Sequence, residues 1–232
     1  MNVKQLAIFA GVSLSALASC NLQKSMNKDI SLKSEIDTVS YSLGVSIGQS
    51  IKGQGMDTIN AEVFVQAIQD VFSNDSLKVN PAQANQLLQN YFQNLSVKKA
   101  DKNLKEGQDF LAKNKSKEGV KTTASGLQYK VLKDGTGPSP AATDTIVANY
   151  TGKTLDGKVF DTSVGKQPLV YPANQLIPGW TEALQMMKVG SKWELYIPAE
   201  LAYGERGAGA DIGPNSALIF EMELLGIGNP NK

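Results

Sequence analysis

The chain has 232 residues, room for one large domain or two small ones, and an apolar fraction of 41%, ordinary for a protein with a packed core. Its 23 basic and 22 acidic residues nearly cancel, so no global field would hold nucleic acid or an acidic lipid surface. It has no histidine and a single cysteine, which excludes imidazole acid–base chemistry, Ser/His/Asp and Cys/His nucleophile sites, internal disulfides and cysteine-rich metal sites.

The first segment reads as an address. Lys4 supplies a positive start, Leu6 to Leu17 is an apolar run too short to span a bilayer, and small residues follow. The run ends Leu17-Ala18-Ser19-Cys20, which resembles the bacterial lipobox, where cleavage precedes a cysteine that is then acylated. Residues 1–19 are therefore expected to be a lipoprotein signal peptide, with Cys20 the lipidation site. Several acyl chains on one residue anchor a protein stably. Asn21, not an aspartate, stands next to Cys20, a pattern that predicts outer-membrane attachment facing the periplasm, with membrane contact only through the lipid. Residues 20–34 are polar and are expected to be a flexible tether.

Residues 35–121 carry helical signals. Ser34 and Asp37 have capping-box spacing, and Val39, Leu43, Ile47 and Ile51 form one stripe, with Gly44 and Gly48 beside it. Asn60 is positioned to cap a second helix, with Val63, Phe64, Ala67, Ile68 and Val71 on its apolar face. Asn80-Pro81 is a cap residue followed by proline at the first helical position. The helix it starts is expected to run to about Asn114, roughly 50 Å long. Ala84, Leu87, Leu88, Tyr91, Phe92 and Leu95 form a stripe in its first half, whereas Val97, Ala100 and Leu104 are the apolar residues from Ser96 to Gly107. This predicts a buried first half and an exposed strut in the second. A helix pair of this size is too small to be stable alone, so its stripe is expected to bury itself against a second copy of the chain.

From residue 122 to 232 the texture changes to short alternating runs with frequent glycine and proline. Residues 127–131, 145–150, 192–197 and 218–224 read as strands, with one helix at about Thr181 to Met187. The expected fold class is α+β: an antiparallel sheet wrapped on a short helix, preceded by an all-α domain with a long connecting helix.

Four segments here are specific. Val147 to Ser163 (VANYTGKTLDGKVFDTS) closely resembles the signature of the FKBP-type peptidyl-prolyl cis/trans isomerases. Leu176-Ile177-Pro178-Gly179-Trp180, Ile197 to Gly204 (IPAELAYG) and Leu218 to Leu225 (LIFEMELL) resemble three further family segments in the right order. The helical half resembles the macrophage infectivity potentiator subgroup, whose members are exported bacterial dimers.

The resemblance implies an apolar pocket floored by Trp180, with Tyr150, Phe160, Asp161 and Tyr203 as its catalytic group. Leu176, Ile177, Ile212, Phe220, Leu169 and Tyr171 are implied as substrate-binding residues. Leu169 and Tyr171 lie where the family places a further aromatic, and the sequence leaves open which faces the pocket. In the flap from Gly204 to Pro214 the chain departs from the best-known eukaryotic members. Ala208 replaces a larger residue, Gly213 precedes Pro214 where they have two prolines, and Asp211 adds a charge. No cofactor or metal is implied. The implied partners are proline-containing polypeptide clients, a second copy of the chain and macrolide ligands of the rapamycin type. The implied function is isomerisation of X–Pro bonds during folding of exported proteins. The alternative is a dimeric periplasmic chaperone clamp whose pockets mainly bind clients.

Overall fold

The structure is a computed structural model and describes residues 30–228. The leader and Cys20 lie outside the described residues. The chain falls into two compact units, divided between Gln49 and Ser50.

Helix α1 (Glu35–Gly53) opens on a complete capping box. Ser34 Oγ accepts the Asp37 N–H at 3.2 Å, and the Asp37 carboxylate accepts the Ser34 N–H at 2.9 Å. Two of the helix's unsatisfied starting donors are thereby paired.

In the second unit, α2 (Ala61–Phe72) and α3 (Pro81–Asn114) start where their cap residues predict. Asn60 Oδ1 accepts the Val63 N–H at 3.1 Å, and Asn80 Oδ1 accepts the Gln83 N–H at 2.9 Å. Pro81 needs no partner for a missing N–H in the first turn.

Within the single chain α3 leaves the stripe of its first half uncovered, as a stripe meant for a second copy would be, and it departs from expectation in its second half. Leu87, Leu88 and Tyr91 in its first half are exposed, Leu87 at 60%. Its second half is not a free strut but docks on the sheet. Gly107 and Asn114 are buried. The Phe110 ring lies 5.9 Å from that of Tyr196. Asn114 Nδ2 donates to Gln128 Oε1 at 3.0 Å, and Gln128 Nε2 donates to the Leu111 carbonyl at 2.9 Å. Hydrophobic periodicity underweights such an interface because glycine, amides and one aromatic ring make it.

The sheet has seven strands among the described residues: β1 (Val120–Thr122), β2 (Gln128–Lys133), β3 (Thr145–Thr154), β4 (Val159–Thr162), β5 (Leu169–Pro172), β6 (Lys192–Ile197) and β7 (Leu218–Ile227). Six of them follow the order β1-β2-β6-β7-β3-β4, and β5 joins beside β3. Both β5 and β4 pair with β3, β5 along Thr145–Ala148 and β4 along Thr151–Lys153, while β7 pairs with β3 along Ile146–Thr154. All pairings are antiparallel. Helix α4 (Pro178–Met186) starts earlier than the sequence pattern suggests. The fixed φ of Pro178 makes it a ready first helical residue. Period-two alternation aims Leu195 and Ile197, Leu218, Phe220, Met222 and Leu224 into one core with Trp180, Ala183, Leu184 and Met187. All of these residues are buried.

Candidate functional site

The early start of α4 decides where Trp180 lies. Pro178 and Gly179 open the helix, and a Cβ on Gly179 would come within 2.6 Å of the Ile197 side chain. That close approach seats the first turn on the sheet and puts the indole in the core, 4% exposed. Its ring meets Tyr150 at 5.0 Å and 74°, and Phe220 at 5.0 Å and 84°. Both contacts have the edge-to-face geometry that aromatic quadrupoles favour.

One wall rests on a missing side chain. Gly152 on β3 lies opposite Phe220 on β7. A Cβ there would stand 2.6 Å from both the Phe160 and the Phe220 rings. Its absence lets those rings pack at 5.5 Å and 86°. Gly152 belongs to the family-like segment, but only the cross-strand register exposes its role.

The result is a cavity of about 210 Å³ lined by Tyr150, Phe160, Asp161, Leu169, Tyr171, Leu176, Ile177, Trp180, Tyr203 and Phe220. Leu169 and Tyr171, two apart on β5, both face it. Ile212 does not line it. It is buried in the core at 7% exposure, and its backbone pairs within the flap with Ala208, N–H to carbonyl at 3.1 Å and 2.8 Å. The reason is that the flap folds back on itself and turns Ile212 inward. Asp211, beside it, is held in an ion pair with Lys158 of the β3–β4 turn.

The polar content is small and directed. The Tyr150 hydroxyl donates to Asp161 Oδ2, and Asp161 Oδ1 accepts the Thr162 N–H at 2.8 Å. Burial, reinforced by the bond to Asp161 and by its charge, pushes the Tyr150 phenol well above its ordinary pKa. Burial, then the charge of Asp161, pushes Tyr203 up as well. Both phenols therefore stay protonated at neutral pH; the Tyr150 hydroxyl is spent on Asp161, and the Tyr203 hydroxyl is the one left to donate. An apolar ring-lined cavity with one such phenol donor and one carboxylate at its rim suits an uncharged substrate whose carbonyl needs a donor. Its lining has no serine, threonine, cysteine or lysine nucleophile and no imidazole for proton transfer.

Comparison with known proteins agrees with this geometry. Residues 137–225 match the family described as FKBP-type peptidyl-prolyl cis-trans isomerase, and residues 36–131 match the domain amino terminal to it. The chain is 42% identical over 205 residues to the outer membrane protein MIP of Legionella longbeachae, covering 85% of this chain and 88% of that one. It is 44% identical over 192 residues to the FKBP-type 22 kDa peptidyl-prolyl cis-trans isomerase of Escherichia coli, covering 81% and 93%. Among solved structures, FkpA from Escherichia coli matches with a TM-score of 0.63 at 34% identity, covering 85% of this chain and 99% of that one.

Proposed function

The chain belongs to the FKBP-type peptidyl-prolyl cis-trans isomerases, and we propose that its catalysis is carried by the pocket floored by Trp180. The single observation that carries this reading is the edge-to-face packing of Tyr150 and Phe220 on a buried indole beneath a small ring-lined cavity.

The X–Pro bond has a small cis/trans difference but a barrier of about 18–20 kcal/mol, set by amide resonance. In the twisted transition state the nitrogen pyramidalises and the carbonyl loses polarity. The planar ground state is more strongly solvated. An apolar pocket that takes the prolyl ring against Trp180 favours the twisted form over the planar one, and such differential binding is what accelerates the step. Tyr203 donates to a carbonyl of the bound peptide. Asp161 orients Tyr150 and sets the potential at the rim without exchanging a proton. The natural substrates are X–Pro bonds of exported proteins, whose uncatalysed isomerisation takes tens to hundreds of seconds.

The cellular setting has separate support. One relative is named an outer membrane protein, and Cys20 ends a lipobox-like leader. Together they favour a lipid-anchored enzyme of the cell envelope, on the outer membrane and facing the periplasm. The exposed stripe of Leu87, Leu88 and Tyr91 favours a homodimer through the N-terminal helices. The pocket assignment is tested by a protease-coupled assay on a proline tetrapeptide with and without rapamycin. Isomerase activity that rapamycin abolishes is the expected result, and activity indifferent to it overturns the assignment.

A further inference from the structure

The long helix touches the isomerase sheet at a second place, next to the flap. Two glycines let it come close. A Cβ on Gly107 would lie 3.1 Å from the Ala217 Cβ, and a Cβ on Gly213 would lie 2.8 Å from Asn103 Nδ2 and 2.7 Å from the Lys99 side chain. The bare Gly213 backbone leaves room for the Asn103 amide. That amide donates to the Pro214 carbonyl at 2.8 Å and to Ser216 Oγ at 3.2 Å. Asn103 lies outside residues 137–225, the segment that matches the isomerase family.

Pro214 leads straight back to the pocket. The next residue, Asn215, is in the left-handed region at φ 54°, and its N–H donates to the Gly204 carbonyl at 2.8 Å. Gly204 follows Tyr203, which lines the cavity. Between these ends the flap is closed on itself by the Ala208–Ile212 pair. It also turns at Gly207, where a Cβ would come within 2.3 Å of the Ile212 carbonyl oxygen. A loop so braced is held as a piece, by its base at Pro214 and Gly204 and by Ile212 in the core. Ile212, buried in the core, holds the middle of the flap, and the flap's polar tie away from its base is the solvent-exposed Lys158–Asp211 ion pair, a class of contact that contributes little in water and is screened by salt. Asn103 is half-buried and its bonds are uncharged.

We propose that Asn103 is a positioning residue for the isomerase: it holds the base of the flap and thereby the placement of Tyr203 over the pocket. The N-terminal module thus supplies part of the pocket's support. This rests on the pocket assignment above, which the rapamycin assay tests on its own.

The test is Asn103→Asp, which keeps the shape and replaces the donor with an acceptor facing the Pro214 carbonyl. Asn94→Asp is the control, the same change on an exposed part of the same helix. Steady-state isomerase kinetics are measured on tetrapeptides that differ in the residue before proline. Partial unfolding would lower kcat by the inactive fraction and leave KM alone. A displaced flap raises KM, and N103D is expected to raise it about threefold to tenfold, the range for one lost hydrogen bond. N94D is expected to keep the wild-type KM. An unchanged KM in N103D, or an equal rise in N94D, overturns the proposal. Should N103D fail to fold, Gly213→Ala pushes the flap off the helix without altering a polar group. The same rise in KM is then expected, and its absence overturns the proposal equally.

Discussion

The Tyr150 hydroxyl bonds the Asp161 carboxylate across the β3–β4 hairpin, so each side chain fixes the other at the pocket rim. Removing the carboxylate leaves a half-buried phenol without its acceptor and frees it to rotate. Asp161→Ala is therefore expected to lower kcat/KM by about tenfold or more, since loss of a charge-assisted bond is worth about 1.5–3 kcal/mol. Wild-type rates in the protease-coupled assay would reject a role for this pair.

Trp180 carries both stability and activity. It is 4% exposed and packs on two rings. Trp180→Ala should destabilise the fold by about 3–5 kcal/mol, as large aromatic truncations do. Urea denaturation reads that loss directly. At urea-free conditions where the variant remains folded, isomerase activity should still be strongly reduced, because the pocket has lost its floor.

Gly152→Ala tests the wall. The added methyl would meet the Phe160 and Phe220 rings at 2.6 Å, so both must shift. Overpacking of this kind costs about 1–3 kcal/mol. The expected outcome is a lowered unfolding midpoint together with weaker rapamycin binding by calorimetry. Unchanged affinity would show that the ring pair does not shape the pocket.

The pH dependence follows from the phenols. Tyr150, Tyr203 and Tyr196 are all held above the ordinary tyrosine pKa, in each case mainly by burial. Below the unfolded value of about 10, folded and unfolded chains bind these protons alike, and the contribution to stability is intact. As pH climbs from about 10 toward the folded values, the unfolded chain ionises first and stability is lost. The melting temperature should therefore fall steeply above pH about 10. The chain has no histidine, so kcat/KM should stay flat from about pH 6 to 9. A bell-shaped profile in that range would require a titrating group that the pocket reading does not contain.

Deleting residues 35–95 removes α1, α2 and the exposed stripe of α3 but keeps the docked half of α3. Analytical ultracentrifugation should report a dimer for the full mature chain and a monomer for the deletion, with tetrapeptide isomerisation retained. A full chain that sediments as a monomer would leave the Leu87, Leu88 and Tyr91 stripe without this role.

Much of the fold was legible in the residues because its determinants are local. Ser34, Asn60 and Asn80 cap helices through partners three residues away, and the alternating runs at 192–197 and 218–224 became strands β6 and β7. The family-like segments hold eight of the pocket's ten lining groups, and the resemblance adds the other two, Leu169 and Tyr171, without dividing them between facing in and out; both face in. What depended on distant parts of the chain was not legible. Ile212 turns into the core because the flap pairs Ala208 with Ile212, and Gly152 matters because cross-strand register sets it against Phe220. The second half of α3 looked like an exposed strut because its contacts are a glycine, amides and one ring, not an apolar stripe. Asn103 meets Pro214 across 111 residues of sequence. Periodicity records which face of an element is apolar, but a side-chain amide meeting one backbone carbonyl leaves no period, and only the tertiary fold brings the two together.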